Sequence, residues 1–397
     1  MKQTMLKTFP LFFLFLVCGC VKDLYDPSEK IPGGGENPFS SIRVPADFDW
    51  STLYSSRLDV ETYDPFAGRY DYLVEVFDAA PTSSQARLLA TGITNRQKLF
   101  SKQIVYPKSA SGNVYVRLTT PSGAQLVQSG HLTPGGQNVC PFDSATVSHY
   151  LEGNLSSRKV NGNVKATYTL LIEDSFPDYG DYDFNDVVAT VDMETFTEGS
   201  YVDKVVLNIE FRAVGATKKA GFYLQLPTVK PEAIQEVVMN NWSITTESKN
   251  NPVYVVSDDL HELFSYHGEL INTEEKNPYR SSVKRQVTIR FNANQVTDFH
   301  IGDLDLFTTT LKKEGEKLRT EIHLRNFTYT DKGVRYRYYS KDNCVWALLL
   351  PGRISYPKEH AFIGNAYADI LPWASGKSGQ ETWYTNPDAS FTYNLEK

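Results

Sequence analysis

The chain has 397 residues and a net charge of −7; 13% of it is aromatic, with 24 Tyr, 22 Phe and 5 Trp against only 4 Met. Tyr, Phe, Val and Thr punctuated by 25 Gly and 20 Pro favour strands and exclude collagen-like, coiled-coil and disordered chains. After residue 20 no apolar run approaches the ~18–20 residues of a membrane-spanning helix. The acidic balance, without long Lys/Arg runs, argues against nucleic acid as a partner.

The first twenty residues read MKQTMLKTFPLFFLFLVCGC. Lys2 and Lys7 form a short basic region, and the apolar run Leu11–Val17 is too short to span, which is the pattern of a secretory signal. Val17-Cys18-Gly19-Cys20 resembles a lipobox, so residues 1–19 are expected to be a lipoprotein signal peptide and Cys20 the lipidated residue. Cleavage there removes Lys2 and Lys7 and leaves a net charge of −9. Acyl chains on Cys20 anchor the protein to a membrane, each buried methylene contributing ~0.8 kcal/mol. Residues 20–41, rich in Gly, Pro, Ser and Asn, read as a flexible tether. The acidic residues soon after Cys20, with no Asp directly behind it, predict an exported, outer-membrane protein displayed at the cell surface. With Cys18 discarded and Cys20 acylated, Cys140 and Cys344 remain. Two free, partly buried thiols are expected, although a disulfide is permissible in an exported protein.

Residues 42–141 alternate in short, often period-two runs: 57–63, 70–77, 88–92, 99–105, 113–120 and 125–129, separated by turn residues such as Asp64-Pro65 and Pro121-Ser122-Gly123. Such spacing predicts a small β-sandwich, immunoglobulin- or fibronectin-like, with residues 43–50 as its entry segment. Residues 142–162 are polar and read as a linker with a short helix near 146–151. From 163 to 397 strands dominate again, at 164–172, 187–192, 204–214, 221–226, 242–247, 253–257, 283–291, 320–324 and 345–350. A larger, jelly-roll-like β-sandwich is expected, with one helical turn at 232–239 and a closing helix at 366–374 limited by Pro372. The fold class is therefore all-β, with two sandwich domains.

The most informative segment runs from Ile172 to Val188. Between Glu173 and Asp186 stand six carboxylates and one Asn. Asp181-x-Asp183-x-Asn185 places oxygen side chains at alternate positions, as in the opening of oxygen-rich calcium loops. Carboxylates this dense repel one another without a cation. Asp186 stands where an EF-hand needs Gly and no helices flank the loop, so this is not an EF-hand. The expectation is a structural calcium site in a strand-turn-strand setting, with Asp181, Asp183, Asn185 and Asp186 as ligands and Glu173 or Asp174 closing the shell. The alternative is an acidic hairpin whose Asp and Asn residues cap turns.

Glu-Asp-Ser-Phe-Pro-Asp-Tyr-Gly-Asp-Tyr-Asp-Phe-Asn-Asp-Val-Val, residues 173–188, resembles the signature of the LruC-domain family of bacterial outer-membrane lipoproteins. Further motifs are similar in order: Phe211–Ala216 with Gly221-Phe222 and Gln225–Pro227, then Glu321–Leu324, Trp346-Ala347, Tyr356–Glu359, Trp373 and Trp383-Tyr384. Arg325 and Val345 depart from the prolines usual in the family. The resemblance implies an exported lipoprotein with a metal-binding acidic loop. It supplies no activity.

Catalytic patterns are missing. The seven histidines are scattered, and neither His-Glu-x-x-His nor Gly-x-Ser-x-Gly occurs. A polysaccharide-acting hydrolase needs only two well-placed carboxylates and stays open as a third reading. Trp346, Trp373, Trp383 and Tyr384 are candidates for stacking on sugars, which makes a glycan-binding surface component the second; the same rings also suit a sandwich core. His323 alternates with Ile322 and Leu324 and so faces away from them, in a structural or surface role. The first reading is a non-enzymatic, lipid-anchored envelope protein with a calcium-stabilised sandwich used for adhesion, envelope or matrix contacts, with a surface protein or glycan as partner.

Overall fold

The computed structural model describes residues 34–240, 242–244, 252–266, 270–311, 320–327, 330–331, 334–335 and 337–393. The expected signal peptide, Cys20 and most of the expected tether lie outside these residues.

The smaller sandwich is built from β1 (Leu53–Thr62), β2 (Tyr72–Phe77), β3 (Leu88–Thr94), β4 (Phe100–Pro107), β5 (Asn113–Thr119), β6 (Gln125–His131) and β7 (Gln137–Phe142). One sheet has the order β4-β1-β7 and the other β3-β2-β5-β6, the three-plus-four division of an immunoglobulin-like sandwich. Only β1 and β7 run parallel. Period two explains the core. Val114, Val116 and Leu118 of β5 point inward against Val74 and Val76, and each such burial is worth about 1.5–3 kcal/mol. The expected linker begins by closing this core. Asp143 caps the turn α1 (Ser144–Val147) by accepting from the Thr146 amide at 2.8 Å, and Val147 is fully buried.

The larger sandwich contains β8 (Asn163–Ile172), β9 (Val187–Glu198), β10 (Tyr201–Ala213), β11 (Lys219–Gln225), β12 (Ile234–Met239), β13 (Trp242–Ser243), β14 (Val253–Ser257), β15 (Val283–Phe291), β16 (Asp305–Leu311) and β17 (Thr320–Ile322). A small hairpin, β18 (Thr330–Asp331) and β19 (Val334–Arg335), precedes β20 (Ala347–Pro351). The main sheet runs β13-β12-β15-β10-β9-β8-β20, and the second runs β14-β11-β16-β17. Phe211 of β10 and Phe222 of β11 meet edge to face at 5.0 Å and join the two sheets.

Three expectations change. Residues 232–239 are not a helical turn: a 3-10 turn at Pro231–Ala233 leads into β12, where Ile234, Val237 and Val238 favour extended backbone and pairing with β15 satisfies it. The closing helix is two short turns, α3 (Ile363–Ala366) and α4 (Ile370–Ala374), because the chain extends at Tyr367 to bury its ring. Pro372 sits in the first turn of α4, where a missing N–H costs nothing.

The third concerns residues 34–50, expected to be tether and entry strand of the small sandwich. They pack on the larger core: Phe39, at 1% exposure, and Trp50 are buried there, and Phe48 meets Trp373 at 4.8 Å. The Trp50 indole donates to the Asn343 carbonyl at 2.6 Å. The small sandwich is thus inserted between residues of the larger domain. Cys140 lies in the small core and Cys344 in the large one, both as free thiols, so they form no disulfide.

Candidate metal centre

The acidic segment connects β8 to β9 at one end of the main sheet. Glu173 prolongs β8, its amide donating to the Trp346 carbonyl at 2.9 Å, and Asp186 immediately precedes β9. Between them aromatic and oxygen side chains alternate, with the rings held inside. Tyr182 and Phe184 are fully buried and meet edge to face at 5.3 Å, and Phe39 meets Tyr182 at 5.4 Å. Both carry φ of +54°, a left-handed conformation that costs a non-glycine residue about 1–2 kcal/mol. Burial of two aromatic rings outweighs that cost. This backbone presents Asp181 and Asp183 to one place.

Two groups of side chains form. The carboxylates of Asp181 and Asp183 lie with the His360 ring within 4.8 Å of one another, and those of Glu173, Asp174 and Asp186 form a second such group. The carboxylates named from the sequence thus fall into two sets. Asp178 belongs to neither. Asp181 and His360 are exposed, and His360 Nδ1 stands 2.7 Å from Asp181 Oδ2. Asp183 is buried and accepts the His360 amide at 2.8 Å. The Asp174 carboxylate receives Lys218 Nζ at 2.8 Å, and its amide donates to Asp186 Oδ2 at 2.6 Å.

Asn185 is fully buried. Its Nδ2 donates to the Pro357 carbonyl at 3.3 Å, whereas its Oδ1 has no hydrogen-bond partner. Glu173 Oε2 is likewise buried without a partner. Orphaned buried oxygens cost about 1–3 kcal/mol each and call for an unseen partner. Two glycines make room. A Cβ on Gly215 would stand 2.2 Å from Asn185 Oδ1 and 3.1 Å from Glu359 Oε2, and one on Gly180 would stand 2.1 Å from Glu173 Oε1. Neither glycine has a left-handed backbone, so space is the reason for it.

The electrostatics follow from burial and crowding. Burial, then the Asp181 charge, pushes the Glu173 carboxyl up to about 8. Burial and the Glu173 and Asp181 charges push Asp183 up to about 9. Asp186 is raised well above the usual range, first by burial and then by Glu173 and Asp174. Glu359 is raised by burial, although Thr273 donates to it at 2.7 Å. Against these stand Lys218 and His360. Such a site suits a hard, oxygen-seeking cation.

Glu359, His360, Lys218, Gly180 and Gly215 were not among the sequence candidates. Gly215 and Glu359 stand in motifs that carry the family resemblance, yet nothing in their spacing says that they meet the loop.

The glycan-stacking candidates do not gather in an open platform. Trp346 at 0%, Trp383 at 1%, and Trp373 and Tyr384 at 4% exposure fill the larger core, Trp346 by donating to the Asp178 carbonyl at 2.9 Å and packing edge to face on Phe176. Their amphipathic rings satisfy core and hydrogen bond at once, which leaves no face for a sugar. Trp242, 79% exposed, is the most open Trp among the described residues. His323 is buried: it bonds Asp305 at 2.7 Å and Glu321 at 3.4 Å, with Phe307 stacked on it at 4.1 Å.

Comparison with known proteins is consistent with this architecture. Residues 200–384, somewhat under half of the chain, match the model of a domain of unknown function, DUF4842. That match includes Gly215, Glu359 and His360 but begins after the acidic loop. That match does not confirm the LruC-domain resemblance, which rests on the motifs. Among solved structures, a Bacteroides ovatus protein described as a lipoprotein superposes with a TM-score of 0.54 at 15% identity, over 81% of this chain and 99% of that one. At that identity the likeness is one of fold. No curated protein matches the chain.

Proposed function

We propose that the chain is a lipid-anchored cell-envelope protein, attached to the outer membrane through Cys20 and displayed at the surface, whose larger sandwich is stabilised by calcium and used for adhesion, envelope or matrix contacts. The observation that carries the calcium reading is the buried, unpartnered Oδ1 of Asn185, which shares the clearance at Gly215 with Glu359 and whose bonding a cation would complete. The lipobox-like ending at Cys20, the LruC-like motifs and the likeness in fold to a Bacteroides ovatus protein described as a lipoprotein support the anchoring. No helix of the described residues is long and apolar enough to cross a membrane, so the acyl chains would be the attachment.

Calcium here would tie the β8–β9 loop to the segment around Glu359, remote in sequence, and so rigidify one end of the sandwich. The protein's role would then be contact rather than turnover. A melting scan of the full-length protein in detergent, with calcium and with chelator, tests this. A ligand that binds only the folded state stabilises it by about 2.7 kcal/mol at a hundredfold excess over Kd. Asp181→Ala with Asp183→Ala should diminish the shift. An intact fold with no calcium-dependent shift sinks the calcium reading. Radiolabelled palmitate incorporated by the natural chain and lost in Cys20→Ser checks the anchor separately.

A further inference from the structure

We infer that the acidic loop takes two divalent cations rather than one: an outer ion on Asp181 and Asp183 beside Asn185, and an inner ion on Glu173, Asp174 and Asp186. The inference rests on the calcium reading above and adds the number of ions and the ligands of each.

The reach of a single ion decides the matter. Oxygens bound to one calcium each lie ~2.3–2.6 Å from it, so two of them cannot stand much more than ~5 Å apart. The oxygens of Glu173, Asp174 and Asp186 meet that limit among themselves at 4.8 Å or less. Asp181 and Asp183 meet it separately, together with the His360 ring. The two sets together exceed that limit, so one ion would not hold both of them whole.

Each set also carries its own mark of a ligand, independent of the density of carboxylates. At the outer set it is Asn185 Oδ1, fully buried and without a partner, while the amide nitrogen of the same side chain is engaged by Pro357. At the inner set it is Glu173 Oε2, on a side chain 2% exposed. Each has its own glycine, Gly215 against Asn185 and Gly180 against Glu173, where a Cβ would collide with a side-chain oxygen. A single site would need one such clearance.

Six carboxylates, Glu173, Asp174, Asp181, Asp183, Asp186 and Glu359, crowd the two sets, with Lys218 on Asp174 and His360 on Asp181. The inner set offers oxygen alone, which suits calcium. At the outer set His360 bonds Asp181 and leaves Asp183 and Asn185 as the better oxygen donors.

Native mass spectrometry of the full-length protein, released from detergent after chelation and then exposed to calcium chloride, counts the ions. Two per chain are expected, falling to one in Asp186→Asn and to one in Asp181→Asn, with none in the double variant. One ion per natural chain overturns the two-ion arrangement and leaves the calcium reading standing; none overturns both; any other count overturns the assignment to these two sets. The count on the natural chain decides even where a variant fails to fold.

Discussion

Asn185 and Gly215 are in such close approach that a Cβ on Gly215 would stand 2.2 Å from Asn185 Oδ1. The contact joins the acidic loop to the β10–β11 connection and brings Glu359 in from a third element. Gly215→Ala would force apart three segments that meet at this point. Overpacking of a closed interior costs about 1–3 kcal/mol. The expected outcome is a stability lowered by that amount, seen as an earlier melt, and a calcium-dependent shift reduced or lost, read by thermal melts with calcium and with chelator. An unchanged shift would show that Asn185 takes no part in ion binding.

Asp183→Asn should give effects of opposite sign in the two conditions. Asp183 is buried near Glu173, Asp181 and Glu359, and an uncompensated carboxylate there destabilises the fold when no cation is present. The amide removes that repulsion and keeps one of the two bonds, from the His360 and Asn185 amides, that the carboxylate accepts. In chelator the variant should melt above the natural protein; in calcium it should melt below it. Melting curves in both buffers check this, and a variant that is less stable in both would contradict the electrostatic account.

His323 gives the prediction for pH. Burial works against its charge, but the Asp305 and Glu321 carboxylates outweigh burial and raise the imidazole to about 9. A raised histidine contributes stability that is complete below its unfolded value of ~6.5 and is lost as pH rises through about 9. Between those limits the loss approaches about 1.4 kcal/mol per pH unit. Denaturant titrations at pH 6 to 9.5 should show a steeper decline for the natural chain than for His323→Gln. Equal slopes would mean that the ring carries no charge in the folded protein.

Lys102 fastens the two sandwiches. It lies on β4 of the small domain, is 6% exposed, and its ammonium donates to the carbonyls of Ser200 and Thr297 in the large one. Asp298 beside it accepts the Gln103 amide. Lys102→Met keeps the apolar stem but removes both carbonyl bonds and the charge that faces Asp298, a loss of about 1–3 kcal/mol. Calorimetry should show the variant melting earlier, with the small sandwich separating as its own transition. A single unshifted transition would contradict this.

How much of this was legible in the sequence follows from where the information sits. Alternation in β5 and β15 is local and periodic, so the strands and the all-β class could be read. The helical turn expected at 232–239 failed because pairing with β15 is a long-range cause. Residues 43–50 were given to the small domain because they adjoin it, while their partners Asn343 and Trp373 lie some three hundred residues away. The acidic loop announced its own oxygens by spacing. Glu359, His360 and the clearance at Gly215 come from other segments and could be found only once the fold had closed. The Trp and Tyr candidates failed for a different reason: composition counts aromatic rings without saying which way they face.

The account depends most on an ion at Asn185. A crystal structure of the full-length protein grown with calcium tests it directly. Density for an ion ~2.3–2.6 Å from the side-chain oxygens of Asn185 and Asp183 is the predicted result. A water at ordinary hydrogen-bond distance from both, with calcium in excess, would contradict it.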